Sequence, residues 1–148
     1  VDADGLTLVG KEPELVRRRT APTVLTPHDR EFERIAGPVG ADRVGAALGL
    51  AADLGATVLL KGNATVVAEP DGTAYVNPTG TGWLATAGSG DVLSGLGGAL
   101  LAGGLAPGEA AAAAAYLHGL AGAIAADGAT TTAAGVLDAL PEAFRTLR

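Results

Sequence analysis

A chain of 148 residues, 48% hydrophobic and 18% charged, is long enough to bury one domain core and too apolar to be disordered. Sixteen acidic residues against ten basic ones give a net charge of −6, and with no basic stripe this argues against nucleic acid as a partner. The lack of cysteine excludes disulfides and thiol chemistry, no apolar run suggests a membrane span, and the expected setting is cytoplasmic.

Read in chain order, Val1–Leu6 looks like the end of a strand and the loop after it. With no initiator Met, the chain is expected to be part of something longer. Residues 7–18 are expected to form a short polar helix that ends in Arg17, Arg18 and Arg19, a solvated face. Thr23–Leu25 reads as a short strand. Thr26-Pro27-His28-Asp29 then reads as a helix start, with Thr26 as N-cap and Pro27 at the first helical position. That helix covers Asp29–Ile35. A second helix is expected over 41–54, ended by Gly55.

Thr57–Leu60 is a continuous apolar run rich in β-branched residues, the pattern of a buried strand. Thr65–Ala68 and Ala74–Val76 flank Pro70-Asp71-Gly72, a hairpin signal. Asn77-Pro78-Thr79-Gly80 is a turn, and a loop runs from there to Gly90. Helices are expected at 91–103, 107–126 and 132–147. Strands alternating with helices imply an α/β fold with a mainly parallel sheet flanked by helices. Ligands of such sheets bind beyond the carboxyl ends of the strands. The loops 26–28, 61–65 and 86–91 are therefore expected to converge.

The sharpest motif is Ala85-Thr86-Ala87-Gly88-Ser89-Gly90-Asp91. Gly-Ser-Gly at a helix start leaves backbone N–H groups to meet an anion, and the helix dipole adds positive potential. Asp91 beside that hole can accept a proton from a substrate hydroxyl, or it can simply complement the dipole. Lys61-Gly62-Asn63-Ala64-Thr65 follows a buried strand and offers a charge, a close approach and hydrogen-bonding groups suited to phosphate or ribose. The same residues also make an ordinary turn. His28 is a candidate substrate ligand, and Glu31 is a candidate to hold a metal-bound water. Taken alone, the two read more simply as an exposed first-turn pair. His118, in an Ala-rich helix, reads as structural.

In order, the chain carries Asp-Ala-Asp (2–4), Thr-Pro-His-x-x-Glu-Phe (26–32), Lys-Gly-x-x-Thr (61–65), Pro-Asp-Gly (70–72), Asn-Pro-Thr-Gly (77–80), the block 85–95 and His-Gly-Leu-Ala-Gly (118–122). Together these resemble the ADP/ATP-dependent NAD(P)H-hydrate dehydratases of the ribokinase-like superfamily. The resemblance implies that residues 1–148 are the C-terminal portion of a single ribokinase-like domain whose N-terminal part is missing. It implies dehydration of the hydrated nicotinamide ring of NADH or NADPH, driven by ADP or ATP. His28 and Asp91 would contact the hydrated dinucleotide, with Asp91 acting on the departing hydroxyl. Lys61, Gly62, Asn63, Ala64, Thr65 and Gly90 would contact the adenine nucleotide. Glu31 matches a superfamily position associated with Mg2+, through water. Activity of these residues alone stays open, as does an epimerase domain upstream. A homo-oligomer is expected, because part of the sheet is lacking. Two other readings stand beside this one: a small-molecule kinase of the hydroxyethylthiazole-kinase type, and a non-catalytic adenine-nucleotide-binding module.

Overall fold

The structure, a computed structural model, describes residues 1–147. Four strands form one sheet in the order β1 (Val24–Leu25), β2 (Thr57–Leu60), β3 (Val66–Ala68) and β4 (Ala74–Val76). β1 and β2 are parallel, with Val24 opposite Thr57, while β2–β3 and β3–β4 are antiparallel. The sheet is thus less parallel than its sequence pattern suggests. A parallel neighbour needs a long crossover, which the helices between β1 and β2 provide. The five residues 61–65 between β2 and β3 permit only a reversal.

Alternation along the buried strands sorts side chains onto two faces. Val58, Leu60, Val66 and Ala68 pack against Leu6, Val16, Phe32, Ala47, Leu50 and Leu54. These come from α1 (Asp4–Lys11), α2 (Glu14–Arg17), α3 (Asp29–Ala36) and α4 (Arg43–Leu54). Leu59 and Val67 face the other way, onto Leu93, Ala111, Ala114 and Ala115 of α5 (Ser89–Ala102) and α6 (Pro107–Ala126). A third cluster joins Leu117 and Ala121 of α6 to Val136, Ala139 and Ala143 of α7 (Ala133–Arg145). The result is an α/β arrangement with helices on both faces of a small sheet. With so few aromatics, alanine lets α6 lie close to both the sheet and α7.

Three local expectations need correction. The helix expected over 7–18 is two helices, because Pro13 lacks an N–H and forces Glu12 out of helical geometry (φ −137°, ψ 72°). Arg17 is not part of a merely solvated face. Its guanidinium donates to both Asp53 carboxylate oxygens at 2.9 and 2.7 Å and to the Asp53 carbonyl, tying α2 to the end of α4. The N-cap of α3 is His28 rather than Thr26. His28 Nδ1 accepts from the N–H groups of Arg30 and Glu31 at 3.1 and 3.2 Å. Glu31 Oε2 in turn accepts from the His28 N–H at 2.8 Å, which completes a capping box. Thr26 is buried and its hydroxyl turns inward instead.

Candidate active site

The two parallel strands deliver their following loops to the same edge of the molecule. The Lys61 N–H donates to the Pro27 carbonyl at 2.8 Å, which pins the β2 exit against the β1 exit. Arg43 at the start of α4 braces both. Its guanidinium donates to the Asp29 carboxylate at 2.8 and 2.9 Å and to the Lys61 carbonyl at 3.0 Å. Opposite these loops stands the N-terminus of α5. Gly88 enters it with φ 86°, a left-handed conformation that suits glycine, and no side chain caps the helix. The Ser89 N–H turns back to Thr86 at 3.2 Å and the Asp91 N–H to Gly88 at 3.1 Å. Among the described residues neither the Gly88 nor the Gly90 N–H makes such a bond, and of the two it is Gly90 that lines the cavity between these elements.

Between these elements lies a cavity of about 460 Å3. His28, Lys61, Gly62, Asn63, Thr65 and Gly90 all line it, as expected from sequence. Ala64 and Asp91 do not. Ala64 is exposed at the outside of its loop, and Asp91 is exposed in the first turn of α5, one residue beyond Gly90 on the rim. Glu31 lies behind the wall, buried and engaged with wall residues. Its Oε2 is 3.5 Å from Lys61 Nζ and 3.5 Å from His28 Nε2.

Lys61 is held more firmly than the sequence suggests. Nζ donates to Asp2 Oδ1 at 2.9 Å, and the other Asp2 oxygen accepts from Ser94 Oγ at 2.7 Å. Thr26 Oγ1 lies 3.2 Å from Ser94 Oγ and continues the chain of polar contacts. Burial pushes the Asp2 carboxyl up, but the hydrogen bonds from Lys61 and Ser94 outweigh it and leave Asp2 below the usual carboxylate value. Lys61, Asp2 and Glu31 have side-chain exposures of 18, 16 and 10%, so water screens them poorly. The ammonium is thus fixed beside Gly90 with two carboxylates behind it. With Asp2 and Glu31 the cluster carries a net −1, so what it offers an anion at the start of α5 is the N–H donors of the ammonium beside the helix dipole.

The remaining wall is Thr81, Gly82, Leu84, Ala85, Thr86, Ser89, Leu93 and His118. From the sequence, 81–84 read as plain loop and His118 as structural. In the structure Gly82–Leu84 is a 3-10 turn, and Ser89 Oγ donates to the Leu84 carbonyl at 2.6 Å. Gly80 lets the preceding turn reach the Asn63 carbonyl, which a Cβ would strike. Among the described residues no three His, Asp or Glu side chains cluster to cage a metal, and no helix is long and apolar enough to cross a membrane.

The sequence profile of the NAD(P)H-hydrate dehydratases matches residues 1–142. The chain belongs to that family. It is 66% identical over 113 residues to the bifunctional NAD(P)H-hydrate repair enzyme Nnr of Mycobacterium tuberculosis, a stretch covering 76% of this chain and 24% of that protein. It is similar to the ADP/ATP-dependent NAD(P)H-hydrate dehydratase of Bacillus subtilis co-crystallised with ATP/Mg2+, at a TM-score of 0.80 and 36% identity, covering 90% of this chain and 52% of that one. A ribokinase-like superfamily protein of Enterococcus faecalis matches with a TM-score of 0.82 and 28% identity, covering 99% of this chain and 51% of the other. The fold of this dehydratase-family chain is therefore ribokinase-like, and the chain spans about a quarter of the length of its Nnr relatives.

Proposed function

We propose that this chain supplies the nucleotide-binding and acid–base half of an ADP/ATP-dependent NAD(P)H-hydrate dehydratase. Residues 1–148 are then the C-terminal portion of a single domain. The observation that carries this reading is the convergence of Lys61 and Gly90 on one cavity in a chain of this family. The phosphates of ADP or ATP sit at the start of α5, against the Gly90 N–H and Lys61 Nζ. Gly62, Asn63 and Thr65 line the same wall and contact the nucleotide, with Ala64 contributing backbone at the loop's edge.

His28, from the cavity wall, and Asp91, from the first turn of α5, contact the hydrated dinucleotide. Asp91 forms no ion pair among the described residues, and its carboxylate is open to solvent. It accepts the hydrogen bond of the ring hydroxyl and takes its proton as that oxygen attacks the terminal phosphorus of the nucleotide and the bond to the bridging oxygen breaks. The oxygen then leaves the ring as phosphate, and loss of a proton from the adjacent ring carbon forms the double bond. The α5 dipole and Lys61 hold the negative charge of the nucleotide beside it.

Mg2+, present with ATP in the B. subtilis crystals, fits this chain as a water-mediated guest. Glu31 Oε2 accepts one hydrogen bond, from the His28 N–H, and lies 3.5 Å from Lys61 Nζ and His28 Nε2, while Oε1 accepts no hydrogen bond among the described residues, so one oxygen remains for a metal-bound water. The metal would neutralise phosphate charge. The setting is proposed to be cytoplasmic and the protein a homo-oligomer.

The test is turnover by the full-length protein of hydrated NADH with ADP or ATP, followed by the return of reduced-nicotinamide absorbance. Restored absorbance supports the reading. A phosphorylated alcohol in its place would show a kinase, and nucleotide binding with no turnover would show a binding module.

A further inference from the structure

The proposed function gives His118, a polar residue of the cavity wall, no task. His118 is only 5% exposed, yet among the described residues its Nε2 has no hydrogen-bond partner. Burial pushes its pKa down, opposed in part by a hydrogen bond to the Ser89 backbone. The Ser89 carbonyl near the ring favours the proton on Nδ1, which makes Nε2 the acceptor nitrogen. A buried acceptor of this kind costs stability and calls for a partner.

The position of His118 suggests where that partner comes from. The ring is part of the cavity wall, beside Leu84 and Ser89. α6 lies tight against this wall, since a Cβ on Gly122 would overlap the Leu84 side chain. Nε2 itself is shielded, and the soft χ2 torsion of histidine allows the small turn that brings it to a ligand. A neutral imidazole nitrogen accepts from N–H or O–H and repels carbonyl oxygens and phosphate. Its counterpart is therefore not the phosphate end, which Lys61 and Gly90 serve.

We infer that His118 Nε2 accepts a hydrogen bond from a donor on the nucleoside moiety of the bound nucleotide, either the exocyclic amine of adenine or a ribose hydroxyl, and so takes part in nucleotide selection. This rests on the nucleotide site proposed above and adds a specificity residue to it.

In the full-length protein the His118 ring nitrogens are assigned by through-bond correlation to the backbone of Leu117, His118 and Gly119. Saturation with ADP shifts the His118 Nε2 resonance in the unsubstituted protein. Calorimetry then separates the donors. IDP lacks the amine and 2′-deoxy-ADP lacks one hydroxyl. One of the two binds about three- to tenfold more weakly than ADP to the unsubstituted protein, the size of one neutral hydrogen bond. In His118→Phe that difference disappears, and in His118→Asn, which keeps an acceptor, part of it returns. ADP that binds without moving the His118 resonance overturns the inference and leaves the nucleotide site intact. Equal loss for all three nucleotides in His118→Phe also overturns it. Failure of ADP to bind the unsubstituted protein overturns the site and the inference together. The nitrogen spectrum needs no variant, so a misfolded substitution does not block the test.

Discussion

Replacing Lys61 with Met keeps the aliphatic stem and removes the charge. What remains is Asp2 and Glu31, which lay 2.9 and 3.5 Å from the lost ammonium, both largely shielded from water. Removing one partner of a fully buried pair costs about 3–5 kcal/mol. The residual exposure here, 16–18% for the Lys61–Asp2 pair, brings the expected cost to about 2–3 kcal/mol. At about 3–4 °C per kcal/mol for a chain of this size, thermal unfolding should fall by about 6–12 °C. Most of that cost is an unpaired carboxylate, so neutralising Asp2 should recover part of it. The double variant Lys61→Met with Asp2→Asn should be at least about 1 kcal/mol more stable than the sum of the two single changes allows. Nucleotide affinity should fall by about 10- to 100-fold in both Lys61 variants, since the charge-assisted bond to phosphate is lost in each. Strict additivity in the unfolding cycle would refute the network. Unchanged ADP affinity in calorimetry would remove Lys61 from the site.

Asp91→Asn preserves shape and removes the proton acceptor. Turnover of the full-length protein should fall by about 10²–10⁴-fold, with nucleotide affinity held or improved. If Asp91 only complements the α5 dipole, turnover stays near normal and stability drops by about 0.3–1 kcal/mol. Gly88→Ala must hold φ near 86° and bring a Cβ to 3.1 Å from Ala133, so unfolding should show a loss of about 1–2 kcal/mol. Burial holds the His118 pKa below its usual value of about 6.5, so the unfolded chain binds this proton first as pH falls. The stability that neutral His118 contributes is complete above that pH and is lost as pH drops towards the folded value. His118→Phe should flatten that slope in denaturant titrations.

The motifs were legible because each sits directly after a strand or at a helix start, where chain order alone implies convergence. Six of the expected residues line one cavity for that reason. Legibility failed where partners are distant in sequence. Asp2 meets Lys61 across 59 positions and Ser94 across 92, and no local pattern encodes those pairings. His118 looked structural because a lone histidine among alanines gives no sign that α6 backs the 81–86 wall. Within the fold, Pro13 was a readable break that helical spacing masked. The antiparallel return of β3 follows from a five-residue loop, although β2 alone looks like a strand of a parallel sheet.

The central claim is that the start of α5 and the 61–65 loop hold the phosphates of an adenine nucleotide. A crystal structure of the protein with ADP tests it most directly. The account expects a phosphate oxygen within hydrogen-bond reach of the Gly90 N–H and of Lys61 Nζ, with the nucleoside running along the wall of Thr81–Thr86. Phosphates bound away from α5, or a cavity that stays empty at saturating ADP, would contradict it.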